Sequence, residues 1–307
     1  MSKVHYLALS RISGIGGTTA RRLIERFGTV ARAFDAEEHE LISIPRVTPE
    51  IVRAMREIDP DSLELEVESL DSEGIRVLTW EDDDYPANLR SAPDAPVMLY
   101  IVGEILPEDE RAVAIVGTRE PSGRSVEQAE SMAAALADEG FTIVSGLAQG
   151  IDAAAHRGAL RVGSGSETPP TTVGRTLAVL GSGVRMIHPR ENVQLAREIA
   201  EGRGAVISEY HPNMPVKGPQ LMARDRIVSG LSLAVIVVEA GLASGSVDTA
   251  QKAHRQERKV FAVPGSPGCD DLIASGAEPV DPLDIAAIVE RISSDVADRD
   301  EQLGLFG

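Results

Sequence analysis

Apolar and polar positions follow two different patterns along the chain. Up to about residue 57, apolar residues recur at the three- and four-residue spacing of short amphipathic helices, which Gly, Pro and Thr separate. From about residue 111, short continuous apolar runs alternate with amphipathic segments of helical spacing. Continuous apolar strands are typical of a parallel sheet that helices cover on both faces. The pattern predicts a small N-terminal helical domain and a Rossmann-like, doubly wound α/β domain with a mostly parallel sheet.

The individual elements can be placed from the same pattern. Two polar segments, 81–96 and 163–175, are expected to be loops. The expected strands are IRVLTW (75–80), VMLYIVG (97–103), RAVAIVG (111–117), FTIVSG (141–146), TLAVLGSG (176–183), AVISEY (205–210), LAVIVVEAG (233–241) and KVFAVPG (259–265). The expected helices of the second domain cover 125–140, 151–161, 191–204, 222–232 and 246–257. We therefore expect a helical domain at 1–72, a Rossmann-like domain at 73–292 and a flexible acidic tail at 293–307.

Charge is distributed unevenly over these parts. The 307-residue chain has a net charge of −18, which by itself argues against a nucleic-acid partner. Residues 59–110, however, carry 16 acidic side chains against 2 basic ones, whereas residues 111–280 carry 18 against 17. The acidity therefore leaves room for local basic patches on the large domain. Arginine outnumbers lysine 26 to 4, which fits either adaptation to high salt or a GC-rich genome.

Several classes of protein are disfavoured by composition. The single cysteine, Cys269, rules out a disulfide framework and gives no support to a thiolate metal cluster. No apolar run approaches the length of a membrane span, and no signal peptide is recognisable, so we expect a cytoplasmic protein that makes no membrane contact. The strand RAVAIVG (111–117), which is the first of the alternating region, leads into GTREPSG rather than GxGxxG, and neither a phosphate-binding GxxxxGK[ST] loop nor an HExxH pair occurs. We expect neither a cofactor nor a metal ion.

The candidate chemistry lies in the turns that follow the predicted strands. In a doubly wound sheet these turns meet at one edge, where ligands bind near the point at which the strand order reverses. Nearly all of them are rich in Gly and Ser, which suits phosphate binding by backbone amides and helix N-termini. Arg119 can grip a phosphate with its planar guanidinium. The hydroxyl groups of the turns that can donate to a phosphate are those of Ser122, Ser145, Ser244 and Ser246.

Two pairs of side chains allow alternative interpretations. Asp152 and His156 stand four residues apart at a helix start and could form an acid–base pair. We favour instead a structural Asp152 that orders the turn, with His156 packed or in contact with the ligand. Arg224 and Arg226 form either a salt-bridge network with nearby acids or a phosphate clamp, and their spacing favours an irregular or helix-edge position.

The N-terminal domain contains a pattern typical of a helix-hairpin-helix. In ISGIGGTTARRLIERFG (12–28), a glycine turn precedes an amphipathic helix whose N-terminus could approach a DNA phosphate. The alternative is a small module that only packs against the main domain or binds protein. The residues concerned are Gly14, Ile15 and Gly16 of the turn, Thr18 or Thr19 as the helix cap, and Arg21 and Arg22 on the helix.

Taken together, these motifs resemble the DNA-processing protein A (DprA/Smf) family from about residue 4 to residue 280. The resemblance implies a cytosolic, non-enzymatic protein that binds and protects single-stranded DNA, loads a RecA-type recombinase, acts in natural transformation and forms a homodimer. Its motifs here are, in order, GTREPSG, SGLAQGIDAAAH, LGSGV…HPRENVQL, SEY, RDRIVSGLS, VVEAGLASGS and RKVFAVPG. DNA contact is implied for Gly117, Thr118, Arg119, Ser122, Ser145, Gly146, Gly150, His156, Arg224 and Arg226, and less directly for Gly241, Ser244, Gly245 and Ser246.

The chain departs from the family pattern at identifiable points. The family's usual R-N-R is R-D-R here, so Asp225 puts a negative charge inside the expected arginine clamp. The Phe-Pro that usually precedes it reads Leu221–Met222. We expect no C-terminal winged-helix module of the kind that some members carry. We therefore expect the DNA affinity, or its dependence on salt, to differ at this point.

The chain ends in a short motif of its own. Residues 302–306 fit the peptide by which bacterial proteins dock on the sliding clamp, with Leu and Phe in an apolar groove. The alternative is a tail that folds back on its own domain. The residues concerned are Gln302, Leu303, Leu305 and Phe306.

Two other functions stay open beside DNA binding. One is a nucleotide-processing hydrolase on the same fold, in which Glu239 before GLASGS would act as the catalytic glutamate. Against it, the Pro-Gly-Gly loop of such enzymes is missing. The other is a protein-interaction scaffold that docks through the helical domain and the tail.

Overall fold

The computed structural model describes residues 3–163 and 173–304, and it describes the side chains up to residue 294. Helices make up the N-terminal part and surround a single sheet in the rest. The helices are α1 (Lys3–Ser10), α2 (Gly17–Phe27), α3 (Val30–Asp35), α4 (Glu38–Ile42), α5 (Pro49–Glu57), α6 (Glu64–Ser72), α7 (Ala87–Ser91), α8 (Gly123–Asp138), α9 (Ile151–Arg161), α10 (Val193–Ala200), α11 (Gly218–Gly230), α12 (Gly245–Arg255), α13 (Pro267–Ala274) and α14 (Ile285–Gly304).

Within the described ranges, nine strands form the sheet. They are β1 (Ile75–Thr79), β2 (Met98–Gly103), β3 (Ala112–Val116), β4 (Thr142–Ser145), β5 (Thr176–Leu180), β6 (Gly204–Ser208), β7 (Ala234–Val237), β8 (Lys259–Ala262) and β9 (Glu278–Pro279). Their spatial order is β1-β2-β6-β5-β4-β3-β7-β8-β9. In this spatial order, the seven strands β6, β5, β4, β3, β7, β8 and β9 are mutually parallel. Strand β2 runs antiparallel to both of its neighbours, β6 and β1. The predicted mostly parallel, doubly wound sheet is confirmed.

The strand order reverses between β3 and β7. From β3 the chain winds through β4 and β5 to β6 on one side, and it then returns to place β7 beside β3 on the other. The central strands are fully buried because helices cover both faces: α8, α9, α10 and α14 pack on one, and α7, α11, α12 and α13 on the other. The carboxyl ends of β3 and β7 therefore form the switch point where this fold binds ligands.

The N-terminal helices share a hydrophobic core with the edge of the sheet. Leu7 and Leu23 belong to the same buried cluster as Val77, Tyr100 and Val206. The boundary predicted at residue 72 falls at the end of α6, directly before β1. Burial of apolar side chains thus holds the helical part on the β1-β2-β6 edge.

The predicted hairpin faces the main domain. A Cβ on Gly17 would lie 2.8 Å from the carbonyl oxygen of Ala95, and the Arg21 guanidinium lies 5.0 Å from the ring centroid of Trp80. The N-cap of α2 is Gly16, which has no side chain to cap the helix, and Thr19 is buried. The expectation that Thr18 or Thr19 caps this helix is therefore wrong, and the hairpin packs on the Rossmann-like domain.

Other local expectations need correction. The segment 81–96 was expected to be a loop but contains α7, whose Leu89 is buried against α11. Helix α13 and the short β9 were not predicted. Helix α14 continues to Gly304, through most of the segment expected to be a tail. Within 3–163 and 173–304, no helix combines the length and the apolar character that a membrane crossing requires.

Candidate nucleic-acid interface

A cavity of about 520 Å³ lies at the switch point. Its floor is held together across the strand reversal, since the backbone N–H of Thr118 donates to the carbonyl oxygen of Glu239 at 2.7 Å. The turns after β3, β4 and β7 line it, together with the side of α11. Predicted residues that line this cavity are Gly117, Thr118, Arg119, Gly146, Arg224, Ser244, Gly245 and Ser246.

The turn between β4 and α9 is ordered by Asp152. Its Oδ2 accepts hydrogen bonds from the backbone N–H groups of Gly146 at 3.2 Å and Ala148 at 3.4 Å. Gly150 precedes α9 with a φ of 79°, and a Cβ there would lie 2.4 Å from the carbonyl oxygen of Thr118. Burial raises the pKa of Asp152, although Arg224 and the amides favour its charged form. The structural role proposed for Asp152 fits this geometry.

Two residues expected at the DNA surface lie inside the protein. Ser145 is fully buried, and its hydroxyl donates to the carbonyl oxygen of Ile115 at 2.7 Å. His156 is also fully buried, with its Nδ1 2.6 Å from the Thr176 hydroxyl. Burial lowers the pKa of His156 to about 3, so the ring is neutral at physiological pH. Neither side chain is on the cavity surface, because both point into the layer between sheet and helix.

The turn between β3 and α8 is tied to the end of β7. Ser122 is the N-cap of α8, and its hydroxyl accepts a hydrogen bond from the backbone N–H of Ser125. The same hydroxyl donates to the Glu239 carboxylate at 3.1 Å. The Ser122 N–H donates to the same carboxylate at 3.0 Å. Partial burial works to raise the pKa of Glu239, but the hydrogen bonds from Ser125 and Ser122 outweigh it and hold the pKa below its usual value. Glu239 is therefore ionised and structurally engaged.

The turn before α12 forms the opposite wall of the cavity. Ser244 is the N-cap of α12, and its side chain accepts from the Ser246 N–H at 3.2 Å. Gly241 and Gly245 are exposed, and a Cβ on Gly241 would meet no atom within 4 Å. This wall therefore presents exposed backbone next to a helix N-terminus, a setting that suits an anion.

Arg224 is buried beneath the cavity instead of extending into solvent. Its guanidinium donates to the carbonyl oxygens of Gly146 and Val179 and, from Nε, to Asp225 at 3.0 Å. Arg224 thereby fastens α11 to the ends of β4 and β5. The position of Arg224 explains why residue 146 is a glycine, because a Cβ there would lie 2.2 Å from the guanidinium.

Arg226 points away from the cavity. It forms a two-pronged ion pair with Glu209 at 2.6 and 2.7 Å, and its Nε donates to the carbonyl oxygen of Asp94 at 2.8 Å. Both arginines lie in the regular helix α11, so the expected irregular position is wrong. Of the two interpretations offered for this pair, the geometry matches the salt-bridge network.

Asp225 lines the cavity, as its place between the two arginines suggests. Its Oδ2 lies 3.9 Å from the position of a Cβ on Gly245, so the carboxylate faces the α12 wall. Burial raises the pKa of Asp225 to about 6, and Arg224 and Lys252 limit the rise. Asp225 thus places a titratable negative charge beside the backbone that would receive a phosphate.

Arg119 is the exposed cation of the cavity. Its side chain has no hydrogen-bond or ion-pair partner within the described part of the chain. The acids of the lining are mostly engaged: Asp152 with amides, Asp225 with Arg224, and Asp248 with Lys252. A phosphate in this cavity would therefore meet Arg119 and backbone N–H groups.

Sequence reasoning missed the Asp248–Lys252 pair. Lys252 also donates to the carbonyl oxygen of Met222, so it links α12 to α11 beside Asp225. The signal was present, because SVDTAQK places opposite charges four residues apart on a helix.

Two further sequence predictions, on metal binding and on the C-terminal clamp motif, concern residues outside this cavity. Among residues 3–163 and 173–304, no group of three or more His, Cys, Asp or Glu side chains is arranged to hold a metal ion. Leu305 and Phe306 of the predicted clamp motif lie outside the described residues, as do the side chains of Gln302 and Leu303.

Comparison with known proteins identifies relatives over both parts of the chain. Residues 76–293 match the family model for DNA recombination-mediator protein A, and residues 6–68 match a SAM-like helix-hairpin-helix tandem. Protein Smf of Synechocystis sp. is 35% identical over 290 residues, which cover 90% of this chain and 69% of that protein. DNA processing protein DprA of Streptococcus pneumoniae is 39% identical over 203 residues, which cover 64% of this chain and 68% of that protein. Protein Smf of Escherichia coli is 40% identical over 199 residues, 63% of this chain and 50% of that protein.

Solved structures agree with the sequence matches. The X-ray structure of DNA processing protein A from Streptococcus pneumoniae has a TM-score of 0.74 at 30% identity, covering 91% of this chain and 94% of that one. A structure of DNA processing protein A from Helicobacter pylori, which concerns the single-stranded DNA binding mode of that protein, has a TM-score of 0.60 at 30% identity and covers 71% of this chain and 96% of that one. The fold, the ordered motifs and the family model agree, and the chain belongs to the DNA recombination-mediator protein A family.

Proposed function

We propose that this protein binds single-stranded DNA through the switch-point cavity and acts as a recombination mediator. In this role it protects single strands in the cytoplasm and hands them to a RecA-type recombinase, as in natural transformation. The observation that carries the proposal is the combination of an exposed, unpaired Arg119 with glycine-rich backbone at the ends of β3 and β7. Likeness to the Helicobacter pylori protein, whose structure concerns single-stranded DNA binding, supports the same ligand.

The acidic character of the chain shapes how such binding would work. With a net charge of −18, the long-range field of the chain repels DNA, so affinity must come from local contacts. Backbone amides and a guanidinium fork supply hydrogen bonds that salt screens less than a diffuse positive field. We therefore expect fewer counterions to be released on binding than for a basic protein of this size.

A binding titration tests this function directly. Fluorescence anisotropy with labelled oligo-dT and with a duplex of equal length, over a range of salt concentrations, compares the two ligands. We expect tighter binding of the single strand and a shallow salt dependence. Absence of single-strand binding at low salt, or tighter binding of the duplex, would contradict the proposal.

The partners are part of the same proposal. A mediator must transfer its strand, so we expect the protein to speed filament assembly by a RecA-type recombinase on strands covered with single-strand-binding protein. We also propose a homodimer, which the resemblance to the family implies. Sedimentation of the full chain over a concentration range tests the dimer, and a strand-exchange assay tests the loading step.

We infer a non-catalytic role for Glu239, against the hydrolase alternative. Its carboxylate accepts two hydrogen bonds from Ser122 and lies at the α8 side of the turn. A glutamate engaged in this way orders a turn. Incubation with nucleoside monophosphates checks the point, since release of free base would favour the enzyme.

The C-terminal motif supports a separate proposal from sequence. We propose that Gln302, Leu303, Leu305 and Phe306 dock on the sliding clamp. Deletion of residues 301–307 should then abolish retention of the protein on immobilised clamp while DNA binding is kept. Unchanged retention would remove the proposal.

A further inference from the structure

A second cavity, of about 780 Å³, lies on the other side of the Ser122–Glu239 contact. The first turn of α8, the ends of β7 and β8 and the turn after β9 enclose it. Ser122 and Glu239 line this cavity, whereas Thr118 and Arg119 of the same turn line the first. The two cavities are therefore neighbours on one edge of the sheet, with the Ser122–Glu239 contact between them.

The wall that α8 contributes to this second cavity carries two polar side chains that form no hydrogen bond or ion pair with other described polar groups. Arg124 is exposed, and Gln128 lies one helical turn further along α8. Neither side chain has a hydrogen-bond or ion-pair partner among the described residues. Among the described residues, each cavity is thus lined by one exposed arginine without a partner, Arg119 in the first cavity and Arg124 in the second.

The opposite wall is largely apolar. Val263 and Val280 form its base, Pro264 flanks it, and Leu283 is 77% exposed beside it. An exposed leucine and a proline next to a cavity offer a surface against which a planar base can lie. The acid on this wall, Asp281, already accepts a hydrogen bond from the Leu283 N–H at 2.9 Å.

We propose that this second cavity is a further nucleotide subsite of the single-strand path, in which Arg124 binds a phosphate and the Val263–Leu283 wall receives the base. The inference rests on the proposed function, because it takes the strand from the first cavity into the second. The two arginines are five positions apart in the chain, so their Cα atoms lie within about 18 Å, a distance that a few nucleotides span. Gln128, which can both donate and accept, is placed to hydrogen-bond a base edge.

The length of the DNA separates the two cavities experimentally. Binding of oligo-dT in a series from about 4 to about 16 nucleotides is measured by anisotropy for the wild type and for Arg119→Ala, Arg124→Ala and Gln128→Ala. We expect Arg119→Ala to weaken every length. Arg124→Ala should weaken only the longer strands, by about tenfold, and lower their salt slope by about 0.7 for one lost phosphate contact.

A base-specific arm and a control complete the test. Moving a single abasic site along the longest oligonucleotide should reveal one sensitive position in the wild type that Gln128→Ala no longer distinguishes. Arg161→Ala, an exposed arginine at the other end of α9, should bind all lengths like the wild type.

The outcomes distinguish the two proposals. If Arg124→Ala binds every length normally while Arg119→Ala is weak, the second subsite is wrong and the first cavity stands. If Arg124→Ala weakens all lengths equally, the second cavity is not a separate subsite. If Arg119→Ala is normal, the proposed function of the first cavity fails instead.

Discussion

Arg224 and Asp225 are consecutive residues whose buried side chains bond to each other, with Nε of Arg224 3.0 Å from Oδ1 of Asp225. The arginine holds the ends of two strands, and the aspartate faces the α12 wall of the cavity. Arg224 therefore contributes to the stability of the switch point, and Asp225 contributes to the charge of its cavity. Substitutions at the two positions should have different effects.

Asp225→Asn should strengthen single-strand binding near neutral pH. The pKa of Asp225, which burial raises to about 6, means that the wild-type carboxyl is charged above that pH and repels a phosphate. Wild-type affinity should then rise as the pH falls from about 7.5 to about 5, because protonation removes the charge. The variant should bind about tenfold more tightly at the upper pH, or roughly 1.4 kcal/mol, and should lose the change centred near pH 6.

The groups facing Asp225 determine the control. Asp152 of α9 and Lys252 of α12 act on it besides Arg224, and Asp248 is paired with that lysine. Glu120→Gln removes the same charge from the exposed rim and should leave the midpoint of the pH profile in place. A wild-type affinity that is flat from about pH 5 to 7.5, or one that falls with acidification, would refute a role for Asp225.

Arg224→Ala should mainly lower the stability of the fold. The substitution leaves Asp225 and two buried carbonyl oxygens without their donor, a loss of about 3–5 kcal/mol in the free energy of unfolding. Urea unfolding followed by circular dichroism measures it. A loss below about 1 kcal/mol together with weak DNA binding would instead support direct contact with phosphate.

Gly150→Ala should destabilise the β4–α9 turn. Its φ of 79° disfavours a side chain, and the added Cβ would meet the Thr118 carbonyl, so we expect a loss of roughly 1–3 kcal/mol. Gly241→Ala provides the matched control, since its Cβ would enter open space, and should change stability by less than about 0.5 kcal/mol. Equal stability of the two variants, measured by thermal unfolding, would contradict this explanation of the glycine.

The sheet could be predicted from the sequence because its buried strands are continuous apolar runs. The place of β2, antiparallel beside β6, could not, because pairing between distant strands leaves no local pattern. His156 shows a similar limit for the site. Helix α9 reads IDAAAHRGALR, and an alanine-rich helix with buried residues on several sides does not reveal which way a histidine points.

The arginines illustrate why residue type alone did not determine the site. Three arginines lie in motifs that suit phosphate binding: Arg119, Arg224 and Arg226. Of these three, only Arg119 is exposed at the cavity. The partners of the other two, the Val179 carbonyl and Glu209, lie 45 and 17 residues away in the chain. Contacts at such separations arise only from the fold.

The measurement that tests the central claim most directly is the single-strand affinity of Arg119→Ala beside Arg161→Ala. Both variants remove one exposed arginine, but only the first lies at the switch-point cavity. We predict that Arg119→Ala weakens oligo-dT binding about tenfold and lowers the salt slope by about 0.7, while Arg161→Ala binds like the wild type. Unchanged affinity and slope in Arg119→Ala, or an equal loss in both variants, would contradict the assignment of this cavity to single-stranded DNA.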